Sequence, residues 1–357
     1  MCFQISTENG TFLGFGAWVI PDSVTHYDST RGLAEGEYTL DDIPAGDAVP
    51  LYYAMFYPLG IWGFIIANVI LLFVCYRCFG IRAIIIALIL YPHYLQAMIL
   101  PSKDMMVLAV YFLAIYQLLR GNWKCAAVIA VGAYFIRDAT PLILLPLVVA
   151  TVIQKKTNIR PGLIIVGAFI LGVLIFSNLE GMAERFFVIS RNLNVYYWYS
   201  SESLKSLELG VIGYCARLFF NLTNQAFRLT LTDNRGYLSI DLIFMYLSGI
   251  STLVTFILAA YYLLRSKDKL LKLISTYYMI SLIVISINPF VQGRYQFPMS
   301  VLSSAFFFRR MKPRIVLLVY AAVVFMSIIG RTVYYFLNVP FPPQMEYFPV
   351  DLLELVK

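Results

Sequence analysis

Residues 142–153, LILLPLVVATVI, and residues 84–91, IIIALILY, decide the fold class of this chain. Neither run alternates apolar with polar residues, as a membrane β-strand of about ten residues would. Each is continuously apolar, the pattern of a helix whose whole circumference meets hydrocarbon or other helices. Composition agrees: 60% of the residues are hydrophobic, 13% are charged, and the mean hydropathy is +0.76. A chain of 357 residues would otherwise allow two or three soluble domains, but so few charges cannot cover soluble surfaces. The expectation is an all-α polytopic integral membrane protein with about ten transmembrane helices. The apolar runs place them near 52–76, 83–99, 104–119, 124–136, 139–154, 161–177, 241–264, 272–289, 293–308 and 314–330.

Ten spans leave both termini on one side and sort the loops into two sets. The segments Arg77–Arg82, Arg120–Lys124, Lys155–Arg160, Arg265–Lys272 and Arg309–Arg314 hold 15 of the 27 Lys and Arg residues and a single acid, Asp268. The positive-inside rule puts this set in the cytoplasm. The acid-rich set then faces outward. It comprises an N-terminal loop (1–51), a long loop (178–240) and a tail (331–357), flanking a six-span region (52–177) and a four-span region (241–330). The net charge of +7 is spent on topology, so nucleic acid is not an expected partner. The five cysteines are scattered, and the lone Cys75-x-x-Cys78 lacks a second pair to complete a zinc site.

The N-terminus carries an apolar run, TFLGFGAWVI (11–20), too short to cross a bilayer, and no basic n-region or cleavage site of a signal peptide. Either a first span lies upstream or the N-terminus is exported without one. The stretch after it, PDSVTHYDSTRGLAEG (21–36), is charged and structure-breaking. In the long loop, LELGVIGYCARLFFNLTNQAFRLTL (207–231) suits either a helix lying along the membrane surface, with Arg217 and Arg228 reaching lipid phosphates, or an extra pair of short helices.

The outward boundary collects the polar residues that could carry chemistry: Asp22 and Asp28, Lys103 and Asp104 in LPSKDMMVLA, Arg137 and Asp138 in FIRDATP, and Arg294 and Tyr295 in INPFVQGRYQFP. An ionisable group at a span boundary is costly unless paired, hydrated or functional. Carboxylates mixed with Arg and Lys suit a site that grips a phosphate and activates a hydroxyl. Each also has a structural reading. Asp22 fits a helix cap, Asp28 a solvated loop, Lys103 a snorkelling anchor, and Arg137 an interfacial anchor. His26 stands near Asp22 as a candidate proton-transfer partner. His93, between Pro92 and Tyr94, reads as a packed, hydrogen-bonded side chain. With two histidines in the chain, a histidine metal cluster or a Ser-His-Asp triad is hard to build. No glycine-rich phosphate loop is present, which argues against a nucleotide-driven pump.

Three short pieces carry a family resemblance. PDSVTHYDSTRGLAEG resembles the first extracytoplasmic loop of the GT-C superfamily of membrane glycosyltransferases. LPSKDM resembles the Lys-Asp step that opens a span in related polysaccharide-assembly proteins, and GRYQFP resembles their late Arg-Tyr-x-x-Pro step. The resemblance implies transfer of a sugar from a polyprenyl-phosphate- or pyrophosphate-linked donor to a saccharide acceptor, on the extracytoplasmic face of a bacterial inner membrane. It makes Asp22 the catalytic base, and Asp28 in the same stretch is a second catalytic candidate. Lys103, Asp104, Arg137, Arg294 and Tyr295 become the group around the lipid phosphate. Membrane lipid is a further partner. No cofactor is named, and the acids leave room for a divalent metal. The chain departs from the family in having no second acid directly beside Asp22.

Two other readings remain open from sequence. An O-antigen polymerase of the Wzy type would rely on arginines of the long loop, such as Arg185 and Arg191. A flippase for the lipid-linked sugar would carry charges deep inside its spans or show repeated halves.

Overall fold

The computed structural model describes residues 15–16, 21–39, 47–99, 101–137, 139–157, 159–177, 210–223, 226, 238–287 and 293–336. Apart from a two-residue parallel pairing of β1 (Phe15–Gly16) with β2 (Leu238–Ser239), the described elements are helical. Among the described residues, four helices are long and apolar enough to cross a membrane: Tyr57–Phe79, Ala139–Thr157, Ile243–Arg265 and Pro313–Gly330. The chain folds into two compact units. The first comprises Met1–Val148, Thr230–Met245 and Glu346–Lys357; the second comprises Val149–Leu229 and Tyr246–Met345.

The first unit begins with α1 (Pro21–Ala34). The stretch read from sequence as structure-breaking is therefore helical. A proline at the first helical position costs nothing, because that N–H has no intrahelical acceptor. Next come α2 (Val49–Ala54), a 3-10 turn at Tyr57–Leu59, and α3 (Gly60–Phe79). The span expected from residue 52 thus starts several residues later, after a break at Gly60. The helices α4 (Ile81–Leu90) and α5 (His93–Gln96) then replace one expected span, 83–99. Pro92 is the cause: the residue before a proline is driven out of helical conformation, and Tyr91 sits at φ −128° and ψ 67°. Ten residues of α4 cover about 15 Å at 1.5 Å per residue, half of a bilayer core.

The longest buried helix of this unit is α6 (Lys103–Leu119), opened by a Ser102 cap whose hydroxyl accepts from the Asp104 N–H at 3.2 Å. Gly121, at φ 88°, supplies the left-handed turn that ends it. The chain returns through α7 (Trp123–Gly132) and a 3-10 turn at Ala133–Phe135. Helices α3 and α6 lie side by side and run the same way. Phe79, at the end of α3, meets Phe112 and Tyr116 near the end of α6, at 5.3 and 6.0 Å between ring centroids. At the opposite end, Tyr53 bonds to Asn68 of α3 and to the Ser102 carbonyl. An aromatic nest of Tyr53, Phe64, Tyr27 and Tyr57 packs there, with Tyr27 edge-on to Phe64 at 5.9 Å. Glu35, just past α1, accepts from Tyr57 at 2.6 Å and from Arg31 at 3.2 Å, bonds that hold its carboxyl below the usual range. This tether is present at neutral pH and is lost as pH falls through that lowered value.

Helix α8 (Ala139–Thr157) runs from the first unit into the second, passing through Pro146. The second unit continues with α9 (Pro161–Ser177), α10 (Gly210–Thr223), most of α11 (Ile240–Arg265), α12 (Lys269–Ile285), a 3-10 turn at Gly293–Gln296, α13 (Phe297–Arg310) and α14 (Pro313–Phe336). Its interior is rich in hydroxyls. Tyr278 donates to the Thr252 carbonyl at 3.0 Å, Thr255 and Ser304 bond at 2.6 Å, and Tyr320 donates to Ser251 at 3.1 Å. Small hydroxylated residues let helices approach closely and bond across the contact, as in membrane bundles. The long loop expected at 178–240 contains α10, which buries Tyr214, Arg217 and Asn221 and exposes Val211, Ile212 and Phe219. Arg217 therefore does not reach outward to lipid phosphates. It is 1% exposed and lies 5.3 Å over the Phe176 ring. Arg228 and residues 178–209, including Arg185 and Arg191, lie outside the described residues.

Across both units the polarity is inverted relative to a soluble protein. Trp62, Phe73, Leu142, Leu174, Leu317 and Phe325 are exposed, while Asn68, Gln96, Asp104, Arg137 and Gln296 are buried. Polar groups inside and large apolar side chains outside are what a lipid solvent demands.

Two substitutions test the α2–α3 corner. A Cβ at Gly63 would overlap the Phe56 carbonyl oxygen, a backbone atom that cannot swing aside. Gly63→Ala is expected to lower the melting temperature of the detergent-solubilised protein sharply. Asn68→Ala removes the acceptor of the shorter Tyr53 hydroxyl bond and the donor to the Met98 carbonyl, to which Asn68 donates at 3.0 Å. The expected cost is about 1–3 kcal/mol, read as a lower urea or thermal midpoint, and an unchanged midpoint would count against this packing.

Candidate functional site

The candidate site lies in the first unit, at the N-terminal end of α6. Five segments separated in sequence converge there: α1, the residues leading into α2, α5, the first turn of α6, and the turn between α7 and α8. Lys103 and Asp104 are consecutive on the first turn of α6 and diverge toward different partners. Lys103 Nζ pairs with Asp47 Oδ2 at 3.2 Å. Asp104 pairs with Arg137 through Oδ1, at 2.9 Å, and with His93 Nε2 through Oδ2, at 2.7 Å. Asp47 also faces His26 Nδ1 at 3.4 Å, and its other oxygen accepts from the Val49 N–H at 3.2 Å. A backbone bond from the Ala48 N–H to the Phe135 carbonyl ties the Asp47 segment to the turn that carries Arg137.

Local chemistry explains each position. His93 is aimed by the break at Tyr91-Pro92, which turns the chain into the single helical turn of α5. Arg137 follows the 3-10 turn at Ala133–Phe135, and its N–H donates to the Ala133 carbonyl at 3.0 Å. His26 stands on α1, where Tyr27 packs against Phe64. Asp104 also gains from the helix N-terminus, where the dipole favours negative charge.

On side chains alone, Arg137 is 9% exposed, Asp104 11%, Asp47 13% and Lys103 28%, so both carboxylates are nearly as buried as the guanidinium and Lys103 is the member of the two pairs that meets the outside. Burial raises the neighbouring Tyr53 phenol well above its ordinary value, which keeps it a neutral donor. Two carboxylates, Asp47 and Asp104, and two cations, Lys103 and Arg137, are paired one to one here, which offsets the cost of holding them in a low-dielectric environment. That pairing of types can grip an anion and accept a proton.

Of the residues singled out from sequence, Lys103, Asp104 and Arg137 come together here. Asp28 is exposed on α1. Asp22 is the second residue of the same helix. Arg294 and Tyr295 belong to the 3-10 turn of the second unit, with Tyr295 half-buried. The side chains of Asp22 and Arg294 lie outside the described residues, as does Asp138. Among the described residues, no three His, Cys, Asp or Glu side chains converge as a metal-ligand set.

Sequence reasoning missed Asp47, while His93 is the packed, hydrogen-bonded side chain expected, 1% exposed and bonded to Asp104. Asp47 stands one residue before the Ala48 N-cap of α2 and accepts from the Val49 N–H; an aspartate bonding the N–H two residues on is a local turn device, a signal that points to structure rather than chemistry. For His93 the available signal was Pro92, which forbids a continuous span and so exposes the residue after it to a new partner. Compared with known families, with characterised proteins and with solved structures, the chain matches no family model, no curated protein and no solved structure.

Removing one partner of a buried ion pair leaves an uncompensated charge and costs about 3–5 kcal/mol. Arg137→Met and Asp104→Leu are each expected to destabilise the protein on that scale. The double variant is expected to lose less than the sum of the two, because no lone charge remains. Thermal midpoints of the four proteins in one detergent measure this; strict additivity would count against the pair.

Proposed function

We propose that this chain is a membrane glycosyltransferase of the GT-C kind, transferring a sugar from a polyprenyl-phosphate-linked donor to a saccharide acceptor. The observation that carries this reading is the convergence of Lys103, Asp47 and His26 at one helix end, backed by the buried Asp104–Arg137 clamp. Lys103 supplies an accessible cation for the donor phosphate. Asp47, oriented by His26 and the Val49 N–H, supplies a carboxylate for the acceptor. Asp22 remains the base that the resemblance implies, on the helix that also delivers His26.

In this reaction a carboxylate takes the proton from the acceptor hydroxyl, whose oxygen forms a bond to the anomeric carbon. The bond from that carbon to the phosphate oxygen breaks, and its electron pair leaves with the lipid phosphate. A cation beside the departing oxygen stabilises the charge that builds there. The lipid tail would lie along exposed apolar faces such as Trp62 and Phe73 of α3.

Topology supports the same reading. The site stands at the end of α3 and α6 opposite the basic turns Arg77–Arg82 and Arg120–Lys124. With about ten spans and those turns in the cytoplasm, the site opens on the extracytoplasmic face of a bacterial inner membrane, where a sugar already exported on its lipid needs no nucleotide.

The test is a deletion strain complemented with wild type, Asp22→Asn, Asp47→Asn or Lys103→Gln, with surface polysaccharide run on a gel. The expected result is bands that shift or lose one sugar, restored by wild type and not by Asp47→Asn. Lys103→Gln is expected to raise the donor KM about tenfold, equivalent to about 1.4 kcal/mol. A lipid core bearing a single repeat unit and no ladder would instead indicate a polymerase. Donor accumulating on the cytoplasmic leaflet would indicate a flippase, and an unchanged glycan would overturn the proposal.

A further inference from the structure

The second unit carries at one end a concentration of positive charge that the site in the first unit does not use. Three turns contribute: Lys155, Lys156 and Arg160 between α8 and α9; Arg265, Lys267, Lys269 and Lys272 between α11 and α12; and Arg309, Arg310, Lys312 and Arg314 between α13 and α14. Their convergence rests on two sets of contacts. Asp268 Oδ2 pairs with Arg310 at 3.5 Å, joining the second turn to the third. Thr151, six residues before the end of α8, bonds Tyr277, while Gly172 and Phe176, farther from the α8–α9 turn, pack against Ile283; these two levels place the α8–α9 turn toward the start of α12.

These eleven cations face one acid in the same turns, Asp268, and its carboxylate is already engaged. It caps α12 by accepting from the Leu270 and Leu271 N–H groups, in addition to Arg310. All the cations are exposed except Lys272, which is half-buried. They are interleaved with exposed apolar side chains: Ile153, Ile159, Leu264, Leu270 and Ile315. Moreover, three of the four helices long and apolar enough to cross a membrane begin or end among them, at Thr157, Arg265 and Pro313. The cations therefore stand where an apolar span gives way to water, the level of lipid headgroups.

We propose that this basic end of the second unit is a binding surface for anionic phospholipid headgroups, and that it holds several of them in preference to neutral ones. Charge complementarity identifies the ligand's sign. The interleaved leucines and isoleucines identify its second property, because a headgroup brings acyl chains that those side chains can cover, whereas an acidic soluble protein does not. Lys and Arg near an anionic leaflet attract it additively, and the attraction is screened over a Debye length of about 8 Å at physiological salt.

The experiment uses the full chain in detergent micelles, titrated with phosphatidylglycerol or with phosphatidylcholine. Lipid retained after desalting is counted by native mass spectrometry, and thermal midpoints are read in parallel. The expected result is about tenfold preferential retention of phosphatidylglycerol, together with a raised midpoint, since a ligand of the folded state stabilises it. A variant with Lys267→Gln, Lys269→Gln, Lys312→Gln and Arg314→Gln is expected to lose that preference while keeping the wild-type midpoint in phosphatidylcholine. Raising salt to about 0.5 M is expected to remove the preference from the wild type as well, a readout that stands even where the variant fails to fold. Equal retention of both lipids, or a preference unmoved by salt, would overturn the proposal. Displacement of phosphatidylglycerol by polyglutamate at lower concentration would overturn it in favour of an acidic protein partner.

Discussion

The bond between Asp104 and Arg137, with His93 on the remaining carboxylate oxygen, is the constraint on which the first unit depends. A buried carboxylate and a buried guanidinium tolerate no approximation, because either alone costs several kcal/mol in a low dielectric. Satisfying them forces three things at once. Helix α6 must begin at Lys103, the chain must break before His93, and the α7–α8 turn must deliver Arg137 back to the helix end it left. Tyr53, bonded to Asn68 and facing the Ser102 carbonyl, braces the same corner from the α2 side.

That internal clamp has a consequence for the pair whose Lys103 meets solvent. Lys103 is held by its neighbour Asp104, one residue along the same turn, and so projects toward Asp47 from a fixed backbone. Asp47 in turn is fixed by the Val49 N–H and by the Ala48–Phe135 backbone bond. In the proposed reaction, a pair built on such rigid support would lose little conformational freedom on taking hold of a substrate. The second unit solves a different problem. Its interior is held by hydroxyls in close helix contacts, and its charge is gathered at one end in turns that the apolar helices cannot accommodate.

Much of the helical framework was legible in advance. Continuous apolar runs such as LILLPLVVATVI predict helices, and the expected segments 104–119, 139–154, 161–177, 241–264 and 314–330 each fall within a helix of nearly the same bounds. The misreadings cluster where a proline or glycine competes with apolar continuity. Pro92 splits the segment 83–99, and Gly60 delays the start of the one expected at 52. Arg217 shows the other way such reasoning fails. An arginine on an amphipathic stretch reads as an outward anchor, yet α10 turns its polar face inward and its apolar face outward. In a lipid solvent the burial rule for such a helix reverses.

For the site, sequence reasoning located Lys103, Asp104 and Arg137 by type and by position at the ends of apolar runs. It could not pair them, because an ion pair depends on which helix ends converge, and convergence is set by packing between segments far apart in the chain. Asp47 and His93 became visible as partners through that convergence alone. The amino-acid order by itself determined a helical, lipid-solvated architecture and the separation of basic from acidic boundaries, since hydropathy and charge act residue by residue. Tertiary structure alone decided which charges neutralise one another and which stay accessible, since that is a matter of distances of about 3 Å between residues up to 56 positions apart.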